Sequence, residues 1–273
     1  MNIETNPKLI ENTKAAELTL TKKETPLPDI LCEDLSRRTP TEKHFRLRNG
    51  NYMAVSYDYP IHKWNPDAGV YDEIIRKTNE TQTDFESDMG TFKARFPKTE
   101  GKERFITVSK EEYEVAFKYV PAQANRRTRS RAVFSDLKKE DPLDICTPAR
   151  VRYQKADTGV DLQYDINENG IKESVILSKC PESQIFTFRL KVKGVRPELG
   201  QDKKTVLFLP NDPALNNAPA PMMIPSAFML DKNGARFEEL HYELRETEEG
   251  IFLDIVPDDI ATIDNAFTMR AQA

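Results

Sequence analysis

Residues 186–193, FTFRLKVK, alternate without a break: Phe186, Phe188, Leu190 and Val192 on one side, Thr187, Arg189, Lys191 and Lys193 on the other. A strand turns successive side chains to opposite faces, so this period gives one apolar and one wet face; a helix would scatter the same residues around its circumference. YEVAFKY (113–119) repeats the pattern, with Tyr113, Val115, Phe117 and Tyr119 on one side. TVLFL (205–209) is a continuous apolar run suited to a central strand, and ELHYELRE with IFLDIV (239–256) frames a hairpin that turns at Thr247–Gly250. Helical periodicity is scarce. GVYDEIIRKTNE (69–80) fits a short helix or a strand equally well, and a short helix is expected near 12–20. The expected fold is mostly β: an antiparallel, sandwich-like architecture of two packed β units with few short helices.

Two further hairpins have explicit turn signals. HFRLRNGNYMAVSY (44–57) contains Asn49-Gly50, the favoured type I′ dipeptide, and its second strand reads as buried on both sides. GVDLQYDINENGIKESVIL (159–177) turns at Asn169-Gly170, which sets Leu162 against Leu177, Tyr164 against Val175 and Ile166 against Glu173. The register makes Asp165 and Lys172 diagonal neighbours. The charges Asp161, Asp165, Lys172 and Glu173 then need no catalytic explanation and are expected on a solvated hairpin face. Pro219, Pro221 and Pro225 mark an irregular segment at a sheet edge or outside it.

The chain divides into a mobile lead-in (1–34), a first β unit (35–149) and a second (150–273), with the break in the polar stretch SDLKKEDPLDICTPAR. A net charge of −5 argues against nucleic-acid binding, which calls for a basic field. No apolar run is long enough to cross a membrane as a helix, so no membrane insertion is expected. The first residues contain no apolar signal-peptide core, so the chain is expected to be either cytoplasmic or a mature fragment. Cys32, Cys146 and Cys180 match neither a disulfide framework nor a CxxC zinc site. His44, His62 and His241 have no metal-ligand spacing. GxSxG, GxxxxGK[ST] and GxGxxG are all absent. No catalytic residue, cofactor or metal is therefore expected, and the chain reads as a non-enzyme.

Two sets of residues are candidates for contact with a partner. NRRTRSR (125–131) is the basic cluster, and Arg126, Arg127, Arg129 and Arg131 form a candidate anion contact. Its plainer reading is an exposed loop; beside the stripe Arg189, Lys191 and Lys193 it would make an anion-binding surface. Trp64, the single tryptophan, lies close in sequence to His62 and Tyr59. A flat aromatic ring suits the apolar face of a sugar, so Trp64, His62 and Tyr59 form a candidate glycan or partner contact, although a core or hairpin-packing role is the simpler account of the tryptophan. PMMIPSAFM, with Met222, Met223, Phe228 and Met229, is expected to fill core rather than form an adaptable surface.

KHFRLRNGNYMAVSYDYPIH (43–62), ARVRYQKADTGVDLQYDINENGIKESVIL (149–177) and IPSAFMLDKNGA (224–235) together resemble the leading β-rich region of secreted bacterial wall-associated proteins that carry DNRLRE modules or YD (Rhs-type) repeats. The resemblance spans about residues 43–269. The chain departs from the pattern at His62-Lys63, where the family has His-Tyr, around Trp64, and at the closing FTMRAQA. Asn49, Gly50, Gly159, Asp161, Tyr164, Lys172 and Glu173 match the motifs as fold-determining positions. The resemblance implies a non-catalytic structural or adhesion module of an exported, cell-surface bacterial protein. Its expected partners are cell-wall or host glycans, or other modules of the same parent. The alternatives are a carbohydrate-binding or carbohydrate-processing sandwich and the leading region of a YD-repeat toxin-delivery protein.

Overall fold

The computed structural model describes residues 29–272 except 75, 100, 102–103, 122–130, 137–148, 158, 179–184, 216–217, 231–233 and 259–267, with the side chains of 155 and 268–272 also left aside. The short helix expected near 12–20 and most of the lead-in lie outside the described residues. In chain order the strands are β1 (Ile30–Glu33), β2 (Glu42–Leu47), β3 (Tyr52–Ser56), β4 (His62–Asn65), β5 (Val70–Glu73), β6 (Lys77–Glu80), β7 (Asp84–Asp88), β8 (Lys93–Pro97), β9 (Ile106–Lys110), β10 (Tyr113–Val120), β11 (Ala132–Asp136), β12 (Ala149–Asp157), β13 (Val160–Asn167), β14 (Gly170–Leu177), β15 (Phe186–Lys193), β16 (Val195–Leu199), β17 (Val206–Pro210), β18 (Met222–Ile224), β19 (Phe228–Leu230), β20 (Arg236–Phe237), β21 (Leu240–Thr247), β22 (Gly250–Pro257) and β23 (Thr268–Gln272). The segment 69–80, ambiguous in sequence, contains β5 and β6.

Among the described residues the strands make an eight-stranded sheet, β21-β22-β15-β10-β9-β8-β7-β6, and a seven-stranded sheet, β11-β12-β13-β14-β23-β19-β20. Two three-stranded sheets, β1-β2-β3 and β16-β17-β18, and the β4-β5 hairpin complete the set. The fold is mostly antiparallel β and sandwich-like, as the alternation predicts. The eight-stranded sheet draws on both sides of residue 149: β10 pairs with β15 from Glu114↔Lys193 to Val120↔Thr187.

The two large sheets face each other through their alternating apolar rows. Phe85, Phe96, Val115, Tyr119, Phe188 and Leu253 come from one; Val151, Tyr153, Leu162, Tyr164, Val175 and Leu177 come from the other, and all are buried in one core. Tyr164 lies at the centre. Its ring stands 5.7 Å from Phe96, 6.0 Å from Phe117 and 5.9 Å from Tyr153, tilted and edge-on arrangements that aromatic quadrupoles favour. The Tyr153 hydroxyl crosses between the sheets to the Pro97 carbonyl at 2.8 Å. Gly194, at φ +75°, turns the chain from β15 into β16, where a Cβ would lie 3.1 Å from the Tyr113 ring. β17 is the central strand of its small sheet and β18 lies at the edge, just after Pro221. The outer strands of the eight-stranded sheet carry charges, KTNE in β6 and Glu243, Arg245 and Glu246 in β21, which discourage further strand pairing.

Two turns differ from the sequence reading. In the β2-β3 hairpin the Leu47 amide bonds the Asn51 carbonyl, leaving Arg48, Asn49 and Gly50 as a three-residue loop. Gly50 alone takes the left-handed position, at φ +86°, so the turn is not a two-residue type I′ turn. Nor is β3 buried on both sides: Tyr52, Ala54 and Ser56 are exposed, and Met53 and Val55 only half-buried. In the β13-β14 hairpin the loop is Glu168-Asn169, held by the Asn167 side chain accepting from the amides of Asn169 and Gly170. This short polar side chain competes for the turn amides and moves the turn back by one residue. Leu162 therefore meets Val175, Tyr164 meets Glu173 and Ile166 meets Ile171. The slip is two residues, so the alternation between the two faces is preserved. Asp165 and Lys172 are directly opposite rather than diagonal, and Asp165 is gripped by Arg150 of β12 at 2.5 and 3.0 Å.

Phe96 is fully buried against Tyr164 of the facing sheet. Phe96→Ala should lower the unfolding free energy by about 3–5 kcal/mol, read from the urea midpoint; a change below about 1 kcal/mol would contradict this placement of the core.

Candidate functional site

The stretch between β3 and the end of β4 runs from the interior of the molecule to its surface. Tyr59 is buried, with Tyr57 at 5.8 Å and the Arg76 guanidinium 5.1 Å from its ring centre. Arg76 also donates to the Pro60 carbonyl. The Ile61 and His62 amides both bond the Pro40 carbonyl, at 2.7 and 3.1 Å. The His62 ring is buried with Nδ1 2.7 Å from the Thr39 carbonyl. A carbonyl only accepts, so Nδ1 carries the proton; Nε2 is buried with no hydrogen-bond partner. Burial depresses the His62 pKa, Arg38 and Lys43 add to this, and the Thr39 bond only partly opposes them. The ring is therefore neutral at pH 7.

Beyond His62 the β4-β5 hairpin carries Trp64 directly opposite Tyr71, their rings edge-on at 5.1 Å. Trp64 is 51% exposed and so is not a core residue; among the described residues its hairpin pairs with no third strand. The hairpin is fastened to the β1-β2-β3 sheet by charge. Lys43 Nζ lies 2.8 Å from Glu73, and Arg38, paired with Glu33, also donates to the Tyr71 carbonyl at 3.0 Å. The structure thus separates the three candidate glycan contacts: Tyr59 and His62 are buried and Trp64 is presented.

Tyr59 also borders an interior cavity of about 780 Å³, open between the two large sheets. Phe117, Phe188, Leu190, Leu253 and Ile255 of the eight-stranded sheet form one wall and Ile171 and Glu173 the other, while Phe208 and residues 220–225 also line it. Asp58, Pro60, Thr91 and the 167–170 turn line it further. The expectation that Glu173 is solvated is wrong. It is 8% exposed, in the inward row between Ile171 and Val175. Its Oε1 accepts from the Tyr164 hydroxyl at 2.6 Å. Burial raises its pKa to about 7, against the smaller lowering effect of the Tyr164 bond. The Tyr242 phenol is also pushed upward, first by burial and then by Glu173, and donates to the Pro225 carbonyl at 2.9 Å. A lone carboxyl of this kind can hold a cation or exchange a proton near neutral pH. Parity alone would have revealed it, since 173 shares its face with 171, 175 and 177.

The remaining candidates lie elsewhere. Arg126, Arg127 and Arg129 fall outside the described residues; Arg131 is exposed, its backbone bridged to Thr99. Lys191 and Lys193 are exposed on the outer face of β15, Lys191 over the Phe105 ring at 4.4 Å and Lys193 opposite Glu114. Cys32 is free and exposed; Cys146 and Cys180 are outside the described residues. Met229 and Phe228 fill core as expected, but Met223 is exposed and Met222 half-buried at the cavity. Among the described residues no three metal-ligating side chains converge.

Glu173 and His62 give opposite pH dependences. Glu173 binds its proton more tightly in the fold, so its stabilisation is complete below pH 4.5 and is lost as pH rises through about 7. His62 binds its proton less tightly, so stability is lost as pH falls below 6.5. Glu173→Gln should gain on the wild type by up to about 3 kcal/mol between pH 4.5 and pH 8, measured as the pH-by-pH difference in urea unfolding free energy. A flat difference would show that Glu173 is not buried.

Comparison with protein-family models gives no match, and comparison with curated proteins gives none either.

Proposed function

We propose that the chain is a non-catalytic adhesion module of an exported bacterial surface protein, and that the β4-β5 hairpin presents Trp64 to a saccharide. The observation that carries this reading is the half-exposed Trp64 ring, braced edge-on by Tyr71 on a hairpin anchored by Lys43–Glu73. An indole left in water is costly unless a partner covers it. A rigid ring with a free face suits the C–H surface of a pyranose, and Lys63 and Asp72, opposite each other in the same hairpin, supply polar groups for its hydroxyls. The order of the motifs, from KHFRLRNG to IPSAFM, supports placement in a wall-associated parent protein. The sandwich is then a scaffold that holds the hairpin at a fixed attitude.

The test is a glycan array that includes bacterial cell-wall polysaccharides, probed with the whole chain and with Trp64→Ala. The wild type should bind at least one class of glycan, and the variant should lose about tenfold or more in affinity, as central aromatic anchors do. Unchanged unfolding of the variant would confirm that only the presented ring was removed. Binding that survives the substitution would refute the role of the hairpin, and no binding to any glycan would refute the adhesion reading.

A further inference from the structure

The interior cavity has a composition that packing alone does not require. Every other described neighbour of Glu173 in the inward row of β14 is aliphatic: Ile171, Val175 and Leu177. The facing row of β13, Val160, Leu162, Tyr164 and Ile166, is apolar apart from the Tyr164 hydroxyl. A hydrophobic residue at 173 would complete the layer, whereas an ionised carboxylate in such surroundings is costly unless a cation or several donors meet it. A carboxylate has about four acceptor positions, and the Tyr164 hydroxyl occupies one of them. Among the described residues no Lys, Arg or His forms an ion pair with Glu173. Of the cationic residues that line the cavity, Lys110 donates to the carbonyl of Pro221 at 3.3 Å, another lining residue, and Lys172 alternates to the other face of β14; neither is paired with Glu173. Two other carboxylate residues, Asp58 and Glu168, also line it.

We propose that this cavity is a binding site for a small amphiphilic amine, whose ammonium pairs with Glu173 and whose apolar body lies along Phe117, Phe188, Leu190 and Phe208. The volume of about 780 Å³ lies within the range of small-ligand pockets, about 300–1,000 Å³, and accommodates a medium-chain alkyl group. The ammonium supplies the donors that the carboxylate lacks, and charge-assisted bonds of this kind are roughly twice as strong as neutral ones. A neutral alcohol supplies one donor and no charge; a carboxylate ligand would be repelled. The site is separate from the Trp64 hairpin, and either can fail without the other.

The test is calorimetric titration of the whole chain at pH 8 with n-octylamine, 1-octanol and octanoate, three ligands of matched length. Octylamine should bind about tenfold or more tightly than octanol, with octanoate weaker than both. Glu173→Gln keeps an acceptor for Tyr164 but removes the charge; it should lose the tenfold preference while holding octanol within about twofold of wild type. Met222→Trp, which narrows the cavity from the edge strand β18, should weaken all three ligands. Equal binding of octylamine and octanol by the wild type would overturn the proposal without recourse to any variant. So would no octylamine binding up to about 1 mM, a preference that persists in Glu173→Gln, or octylamine affinity unaffected by Met222→Trp.

Discussion

The structure depends on the burial of two one-sided apolar sheets against each other. Neither is stable alone in water, because each exposes a row of aromatic and branched residues along its central strands. Tyr164 is the point at which the two rows lock, with Phe96 and Phe117 from one sheet and Tyr153 from its own around a single ring. The smaller sheets are attached to this layer pair. The β16-β17-β18 sheet leaves β15 through Gly194, and the β1-β2-β3 sheet carries the Trp64 hairpin.

Charge is distributed in two distinct ways around this core. On the outward rows carboxylates find arginines: Asp165 with Arg150, Asp161 with Arg152, and the buried Asp254 with Arg245 and Thr187. Pairs with a well-exposed partner contribute little individually, about 0–1 kcal/mol; they link neighbouring strands side by side. Inside, among the described residues, Glu173 has a tyrosine and open space instead of an arginine. The contrast arises from geometry, because the outer pairs lie side by side on adjacent strands whereas Glu173 faces across the gap between sheets.

Much of the architecture was readable from alternation. The inward rows of β10 and β15, the central position of β17 and the β21-β22 hairpin with its turn at 247–250 all follow from period-two patterning and turn residues. Turn details were less legible. Asn49-Gly50 and Asn169-Gly170 carry the same dipeptide, yet neither forms a two-residue turn of its own. A glycine in the left-handed region closes a three-residue loop in one, and the Asn167 side chain captures the amides in the other. Local hydrogen-bond competition of this sort depends on coordinates that a dipeptide does not specify. Trp64 reads in sequence as a packing residue because large aromatics usually are, whereas among the described residues its two-stranded hairpin has no third strand beside it and the ring is 51% exposed.

The sequence by itself determined which face of each strand is apolar, and therefore that the chain must form stacked antiparallel sheets; side-chain direction in a strand is a local property with a fixed period. The parity of residue 173 with Ile171 and Val175 was also present in the sequence, although its charge led to the expectation of a solvated side chain. Only the tertiary structure decided that the space in front of Glu173 is open, that no arginine among the described residues pairs with it, and that Tyr59 and His62 turn inward while Trp64 stays outside. Those outcomes depend on how closely two sheets approach and on which strand lacks a neighbour, and both are set by contacts between residues far apart in the chain.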